Sequence, residues 1–557
     1  MDLIRFLNQV DTLSETMEAD DLRRLVHRIA RKTPIDTRDI FLQYFTSETL
    51  PPDKLTVATV IDELQKIQDE DLSIRLKEID LVRWYDEAEE EEEYEDEHHI
   101  CATVEHLCAI VNKCVDERQY AVAAEMFRFL ENYRVTAVRE NGEKVSFSLD
   151  DLMLENLVNV DIDALRINFL YALYMSTPAE ERAKALYDYM SKWERSRFRL
   201  ENILQAGSQE PDHLEQFLTD WIDLLKRKPG IYELDLLLEA LRFENKGRLP
   251  EIAEENSDVH PALYQEWMAD EDDITVLMIA EDAIAHIPAN LMIRADIALQ
   301  GAEAALRLQN KKQAEMFYLE AFASDTSFVN YIRLIHESED PEEYRERIEE
   351  IIRNAEQREN ITGTYGELLE NQPSDSALKT MRFMQGDLNL ARQYVLSHAQ
   401  VFGWSRTYMK AAVPMLMLYL YNGSLKSPAC DAMISMVLNE VGFLSADYQK
   451  GTLDEEEKDS EELFRECLID WKKTHPLARS DRDRLLADVG RIIEKRTNSI
   501  LSHSIRSKYS ECASLIAMQG EIEESLGDRN GRRAMLEIYR RKYYRDQNFH
   551  NALAVYM

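Results

Sequence analysis

Residues 292–323 read MIRADIALQGAEAALRL, then QNK, then KQAEMFYLEAFA. Both long segments space their apolar residues along one helical face, and the polar triplet at 309–311 interrupts the run. Small Gly301, Ala302 and Ala305 on the first segment are placed to nest against Ala314, Tyr318 and Ala321 on the second, the small-into-large fit of tetratricopeptide helix pairs. One such pair cannot bury its apolar face alone. Stacking on neighbours solves this, so the expected fold class is all-α, a tetratricopeptide-like α-solenoid of antiparallel helix pairs.

The neighbouring text extends the array. Helical spacing recurs at 274–286, 327–338 and 342–356, and again at 387–398 and 406–421. The most apolar window, 411–421, contains Pro414 and is too short to span a bilayer, so it reads as a buried core helix. Towards the N-terminus, 100–115 and 119–133 form another pair, with Tyr120, Ala123, Phe127 and Leu130 at the packing positions of a second repeat helix. Apolar and polar residues then alternate about Asn141-Gly142, a strong hairpin signal, which predicts one small β-hairpin near 134–148 as a recognition element or the cap of a groove.

Further helices are expected at 3–10, 18–31 and 36–45, and from Pro51-Pro52-Asp53 through Ile67. Residues 86–97, DEAEEEEEYEDE, are too charged for a core and read as a solvated linker, with a lure for a basic partner as the sharper alternative. The expected organisation is an N-terminal helical module at 1–85, an acidic linker at 86–99, a first repeat segment with the hairpin at 100–245, central repeats at 246–450, and a C-terminal helical segment with a basic tail at 451–557.

The chain has 557 residues with 106 Asp and Glu against 66 Lys and Arg, a net charge of −40. Such a charge repels nucleic acid and anionic membrane and draws basic partners. It is unevenly spread. From residue 471 onward there are 17 Lys and Arg and 11 Asp and Glu, a local balance of +6, which leaves −46 before it. Within this tail Arg532, Arg533, Arg540, Arg541, Lys542, Tyr543 and Tyr544 mix guanidinium and aromatic groups, joined by Arg529, Tyr539 and Arg545. That mixture suits phosphate binding and base stacking, and it equally suits docking on the acidic body. Cysteines at 101, 108, 114, 430, 467 and 512 follow no redox or disulfide spacing, and the first residues, MDLIRF, form no secretory signal, so free thiols in a reducing cytoplasm are expected.

Three strings carry a family likeness: EAFASDTSFVNYIRL at 320–334, GWSR at 403–406 with VPMLML at 413–418, and SECASLIAMQGEIEESLG at 510–527. They resemble the helical C-terminal region of bacterial SWIM zinc-finger proteins, over roughly the second half of the chain. The resemblance implies a helical interaction scaffold. That family's zinc motif, Cys-x-Cys followed by Cys-x-His, is absent from this sequence, so no zinc is carried over with the likeness.

Candidate chemistry is sparse. His98, His99, Cys101, His106, Cys108 and Cys114 are zinc-type ligands, but Cys101, Val104, Cys108, Val111 and Val115 share one helical stripe, which predicts small core residues. No nucleophile elbow, metalloprotease helix, Walker loop or dinucleotide fingerprint occurs, so no catalytic residue, metal or cofactor is assigned. Tyr171, Tyr174, Tyr187, Tyr189, Trp193 and Trp221 are expected to fill cores, with exposed Tyr and Arg left as groove anchors. The reading is a non-enzymatic scaffold that binds a protein or peptide, basic by charge, along a solenoid groove. The alternative is an accessory regulator of a nucleic-acid enzyme, contacting RNA or DNA through the basic tail. Oligomeric state is not encoded in these patterns.

Overall fold

The computed structural model describes residues 54–70, 72–80, 90–139, 141–193, 196–207, 209–244, 246–357, 373–398, 402–405, 407–453 and 458–557. The helices expected at 3–10, 18–31 and 36–45 lie outside them. Two compact units divide between Arg248 and Leu249, three residues from the change of text expected at 245/246.

The first unit runs α1 (Lys54–Asp69), β1 (Ile74–Asp80), β2 (Glu90–Glu95), α2 (Ile100–Asp116), α3 (Tyr120–Asn132), β3 (Val135–Arg139), β4 (Lys144–Phe147), α4 (Leu149–Leu154), α5 (Ile162–Ser176), α6 (Arg182–Met190), α7 (Leu200–Leu204), α8 (Leu214–Leu225) and α9 (Ile231–Phe243). α2 and α3 pack as the expected pair and α5 covers both. α6 then packs on α8 and α8 on α9. Local chemistry sets these ends. Ser148 and Asp151 form a reciprocal capping box on α4, and Asp161 accepts the Ala164 amide to start α5.

The hairpin forms where its turn places it, with Gly142 at φ +84° and its amide donating to the Arg139 carbonyl at 2.8 Å. It is not an isolated insertion. β1 lies parallel to β3, Ile74 beside Ala137, and the sheet order is β2-β1-β3-β4. Ile74, Leu76, Val135, Ala137 and Phe147 are buried, so this sheet is part of the core and not a protruding recognition element.

The acidic run belongs to the same sheet. Its residues 90–95 form β2, paired antiparallel to β1 at the sheet edge, where a linker was expected. Backbone amides and carbonyls pair whatever the side-chain charge, and a charged edge strand discourages further strands from adding. The run ends in a helix start: the Asp96 carboxylate accepts the amides of Ile100 and Cys101 at 2.9 and 2.8 Å.

The second unit runs α10 (Leu249–Glu255), α11 (Leu263–Met268), α12 (Asp273–His286), α13 (Met292–Arg307), α14 (Lys311–Ser324), α15 (Phe328–Glu337), α16 (Arg345–Gln357), α17 (Asp375–Met384), α18 (Leu388–Ser397), α19 (Met409–Leu420), α20 (Pro428–Val441), α21 (Ser445–Gln449), α22 (Ser460–Thr474), α23 (Arg479–Ser502), α24 (Tyr509–Ser525), α25 (Gly531–Lys542) and α26 (Gln547–Ala554). α12 to α15 stack in sequence order as tetratricopeptide-like pairs. Asn310, within the polar triplet, caps α14 through the Gln313 amide. Gly301 sits where three helices converge: a Cβ there would lie 2.7 Å from Ala280 on α12 and 2.9 Å from Phe317 on α14. The window at 411–421 forms the greater part of α19, whose residues 411–418 are all buried.

Beyond α20 the nearest-neighbour order of a simple solenoid gives way. α21 returns to α15, and the turn after it is stapled to the early stack: the Gly451 amide donates to Glu303 at 3.0 Å and its carbonyl accepts the Tyr318 hydroxyl at 2.7 Å. Arg333, 1% exposed, donates to the carbonyls of Tyr448 and Asp447 and to the Asn330 side chain. The boundary expected at 450/451 therefore falls inside one packed unit.

Candidate functional site

In the first unit a cavity of about 550 Å³ opens between α9 and the segment from residue 197 to α7. Asp235, Leu238, Glu239 and Arg242 recur at i, i+3, i+4 and i+7 and so form one stripe of α9 facing it. Phe198, Tyr232 and Leu236 supply a buried floor, with Leu238 and Phe243 half-buried above them. Two contacts hold the opposite wall in place. The Tyr232 hydroxyl donates to the Phe198 carbonyl at 3.1 Å, and Glu239 accepts the amides of Leu200 and Glu201 at 2.8 Å each, fastening the start of α7. Burial raises the Glu239 carboxyl above its usual range, against those two amides, which act to lower it.

Arg197, Arg199 and Arg242 are exposed on the rim, with exposed Glu201 and Asp235 between them. The result is an apolar, aromatic floor ringed by charges of both signs. Such a surface can take an apolar side chain and hold its flanking charged groups, the pairing of aromatic and arginine residues seen at binding hot spots. None of these groove residues was singled out from sequence. The available signal was Arg197-Phe198-Arg199, a cation-aromatic-cation triplet between helices of an acidic chain.

The seven basic and aromatic residues of the tail lie on α25 and just after it. Arg532 reaches Glu521 at 3.4 Å, Arg540 and Arg541 reach Glu537 at 3.9 and 3.0 Å, and Lys542 reaches Glu494 at 3.2 Å. The Tyr543 hydroxyl donates to Asn498, and the exposed Tyr544 ring lies under the Arg545 guanidinium, 5.2 Å from the ring centroid. Arg533 is exposed and makes no ion pair among the described residues. α25 is pressed onto α24 backbone to backbone, since a Cβ on Gly520 would lie 2.4 Å from the Arg532 Cα. Most of these cations are therefore spent on carboxylates of their own unit.

The cysteine stripe of α2 is in the core: Cys101, Cys108 and Cys114 are buried beside Val104, Val111 and Val115. Burial pushes the Cys101 and Cys108 thiols up to about 12 and Cys114 to about 11, which keeps them protonated and poor as nucleophiles or metal ligands. His98, His99 and His106 are exposed and do not converge with them. Tyr171, Tyr174, Trp193 and Trp221 fill the core as expected.

No family model and no curated protein matches the chain. Among solved structures it is matched to a "circular tandem repeat protein with novel repeat topology and enhanced subunit contact surfaces", 13% identical over 94% of this chain and 97% of that one, with a TM-score of 0.15. At that score the superposition carries no weight, and the fold rests on the helix packing described above.

Proposed function

We propose that the chain is a cytoplasmic, non-enzymatic scaffold that holds a protein partner by an extended peptide segment seated in the α7–α9 groove. The observation that carries this reading is the groove itself: an aromatic floor of Phe198 and Tyr232 beneath a rim of three exposed arginines. The segment that fits has an apolar anchor side chain flanked by charges of both signs, its carboxylates meeting Arg199 and Arg242 and its cations meeting Glu201 and Asp235. The net charge of −40 steers the basic parts of such a partner at long range. Six free, buried cysteines agree with a reducing compartment, and among the described residues no helix is long and apolar enough to cross a membrane. The likeness of residues 320–334, 403–406, 413–418 and 510–527 to the helical C-terminal region of bacterial SWIM zinc-finger proteins is part of the same proposal. For nucleic acid bound through the tail, the ion pairs of Arg532, Arg540, Arg541 and Lys542 leave little free positive charge.

A photo-crosslinking side chain at position 238 or 243 should trap a host protein, with a yield that falls as salt rises. The double variant Arg199→Glu, Arg242→Glu changes only exposed positions, so it should stay folded and lose the trapped partner. No adduct across low and moderate salt, or an adduct unchanged in the double variant, would overturn the reading. Retardation of RNA or DNA by the intact chain, lost on truncation after Gly527, would favour the tail instead.

A further inference from the structure

A second cavity, of about 390 Å³, lies in the second unit between the end of α19 and the turn joining α22 to α23. Its size falls within the range of about 300–1,000 Å³ typical of small-ligand sites. Its lining is unusual for this chain. Lys472, Lys473, His475 and Arg482 face it and, among the described residues, no carboxylate does, although acids outnumber bases 106 to 66 over the sequence. They lie at the start of the positively balanced region that begins at residue 471.

Lys472 has no carboxylate partner among the described residues, and Arg482 has only a long ion pair. Lys472 donates to the carbonyls of Leu418 and Tyr421, which close the last turn of α19, and to no carboxylate among the described residues. An ammonium group has three N–H donors, so one remains for the cavity. Burial holds this amine down to about 8, with the neighbouring Cys430 acting weakly the other way. The Arg482 Nε is buried without a hydrogen-bond partner, and its nearest acid, Asp483, stands 3.8 Å away. Lys473 is paired at 2.6 Å with Asp470, both exposed, and the His475 ring is stacked on Trp471, so these two contribute less. Ile469 and Leu477 give the cavity an apolar wall.

We infer that this cavity binds a small organic oxyanion, its carboxylate or phosphate head held between Lys472 and Arg482 and its apolar body against Ile469 and Leu477. The ligand supplies an acceptor for the remaining Lys472 donor and a second counter-charge for Arg482, in a place where partial desolvation makes a charge-assisted hydrogen bond stronger than at the surface. The site is independent of the α7–α9 groove and stands or falls separately from it.

The test uses the full chain with benzoate and phenyl phosphate as probes and benzyl alcohol as the neutral control. Calorimetry gives affinity, and mass spectrometry follows acetylation of Lys472 by acetic anhydride near pH 8, where its amine is partly unprotonated. One or both anions should bind with Kd below about 1 mM, benzyl alcohol should not, and the bound anion should slow Lys472 acetylation several-fold. Whichever anion binds identifies the head group. Arg482→Gln, at a partly exposed position, should keep the thermal midpoint and weaken binding about tenfold, the loss of one charge-assisted contact. Lys472→Met should remove binding. Absence of saturable binding by either anion up to about 10 mM, or binding with no protection of Lys472 and no change in Arg482→Gln, would overturn the assignment.

Discussion

The two units bury their interiors by different means. In the first, aromatic rings interlock: Phe127 stacks on Phe169 at 4.2 Å, Tyr189 and Trp193 meet Phe169 edge-on, and Tyr174, Phe217 and Trp221 continue the series. Arg166 and Arg182 lie over the faces of Trp193 and Tyr174. In the second, small residues let helices approach closely, and buried charges tie segments together, Arg294 to Glu320, Arg465 to Asp431 and Arg496 to Glu511 over short separations, and Arg392 to Asp488 and Arg333 to the 447–448 carbonyls over long ones. Ring packing tolerates small shifts of its neighbours. A buried cation does not, because each unmet donor or acceptor costs its full desolvation. The first unit also holds buried cations, Arg166 with Asp150 and Arg182 with Asp212, but these join segments close in sequence, whereas Arg333 and Arg392 in the second specify where a late segment returns to an early one.

The contrast breaks most readily at its anchors. Arg333→Met strips donors from two buried carbonyls and the Asn330 side chain, and should cost about 3–5 kcal/mol in chemical denaturation. Hydrogen exchange should then rise together in α15 and at 445–452, more than a hundred residues apart. Phe169→Ala should cost a similar ~3–5 kcal/mol, with faster exchange confined to the first unit. Undiminished protection at 445–452 in Arg333→Met would remove the distinction.

Gly301→Ala probes close approach. Its added methyl meets Ala280 and Phe317 below 3 Å, so a loss of about 1–3 kcal/mol is expected, read as a lower thermal midpoint. Alkali probes burial in both units. The thiols ordinarily lose their protons near 9.0, but burial holds Cys101, Cys108 and Cys467 up to about 12 and Cys114, Cys430 and Cys512 to about 11. Above pH 9 the unfolded chain sheds these protons while the folded chain keeps them. The folded state then binds more protons, so the thiol contribution, complete below pH 9, is lost as pH rises towards 11–12. Replacing the three α2 cysteines by alanine should flatten that slope for the first unit only. The smallest effect is expected from Glu537→Gln, which frees Arg540 and Arg541 at the surface. It should change stability by less than about 0.5 kcal/mol, and a larger change would mean that the tail pairs matter as much as the buried ones.

Much of the secondary structure is legible in single segments. The text at 274–286, 292–308, 312–323 and 327–338 gives α12 to α15 with ends displaced by no more than a residue, because apolar period and cap residues such as Asn310 act within one or two turns. Asn141-Gly142 fixes the hairpin, and the valine-cysteine stripe of α2 announces its own burial. The groove was less accessible, since Arg197, Phe198 and Arg199 acquire meaning only when α9 lies opposite them.

The sequence by itself determined which residues become helix, which faces turn inward and where the hairpin bends, since neighbouring residues settle those matters. Only the tertiary structure decided that Ile74 lies beside Ala137, that the acidic residues 90–95, with Tyr94 among them, join a sheet, that Gly451 returns to Glu303 and Tyr318, and that Lys472 and Arg482 share a cavity. The pairings of Ile74 with Ala137 and of Gly451 with Glu303 and Tyr318 require long loops to close, and all of them depend on the elements packed around them, which no local pattern records.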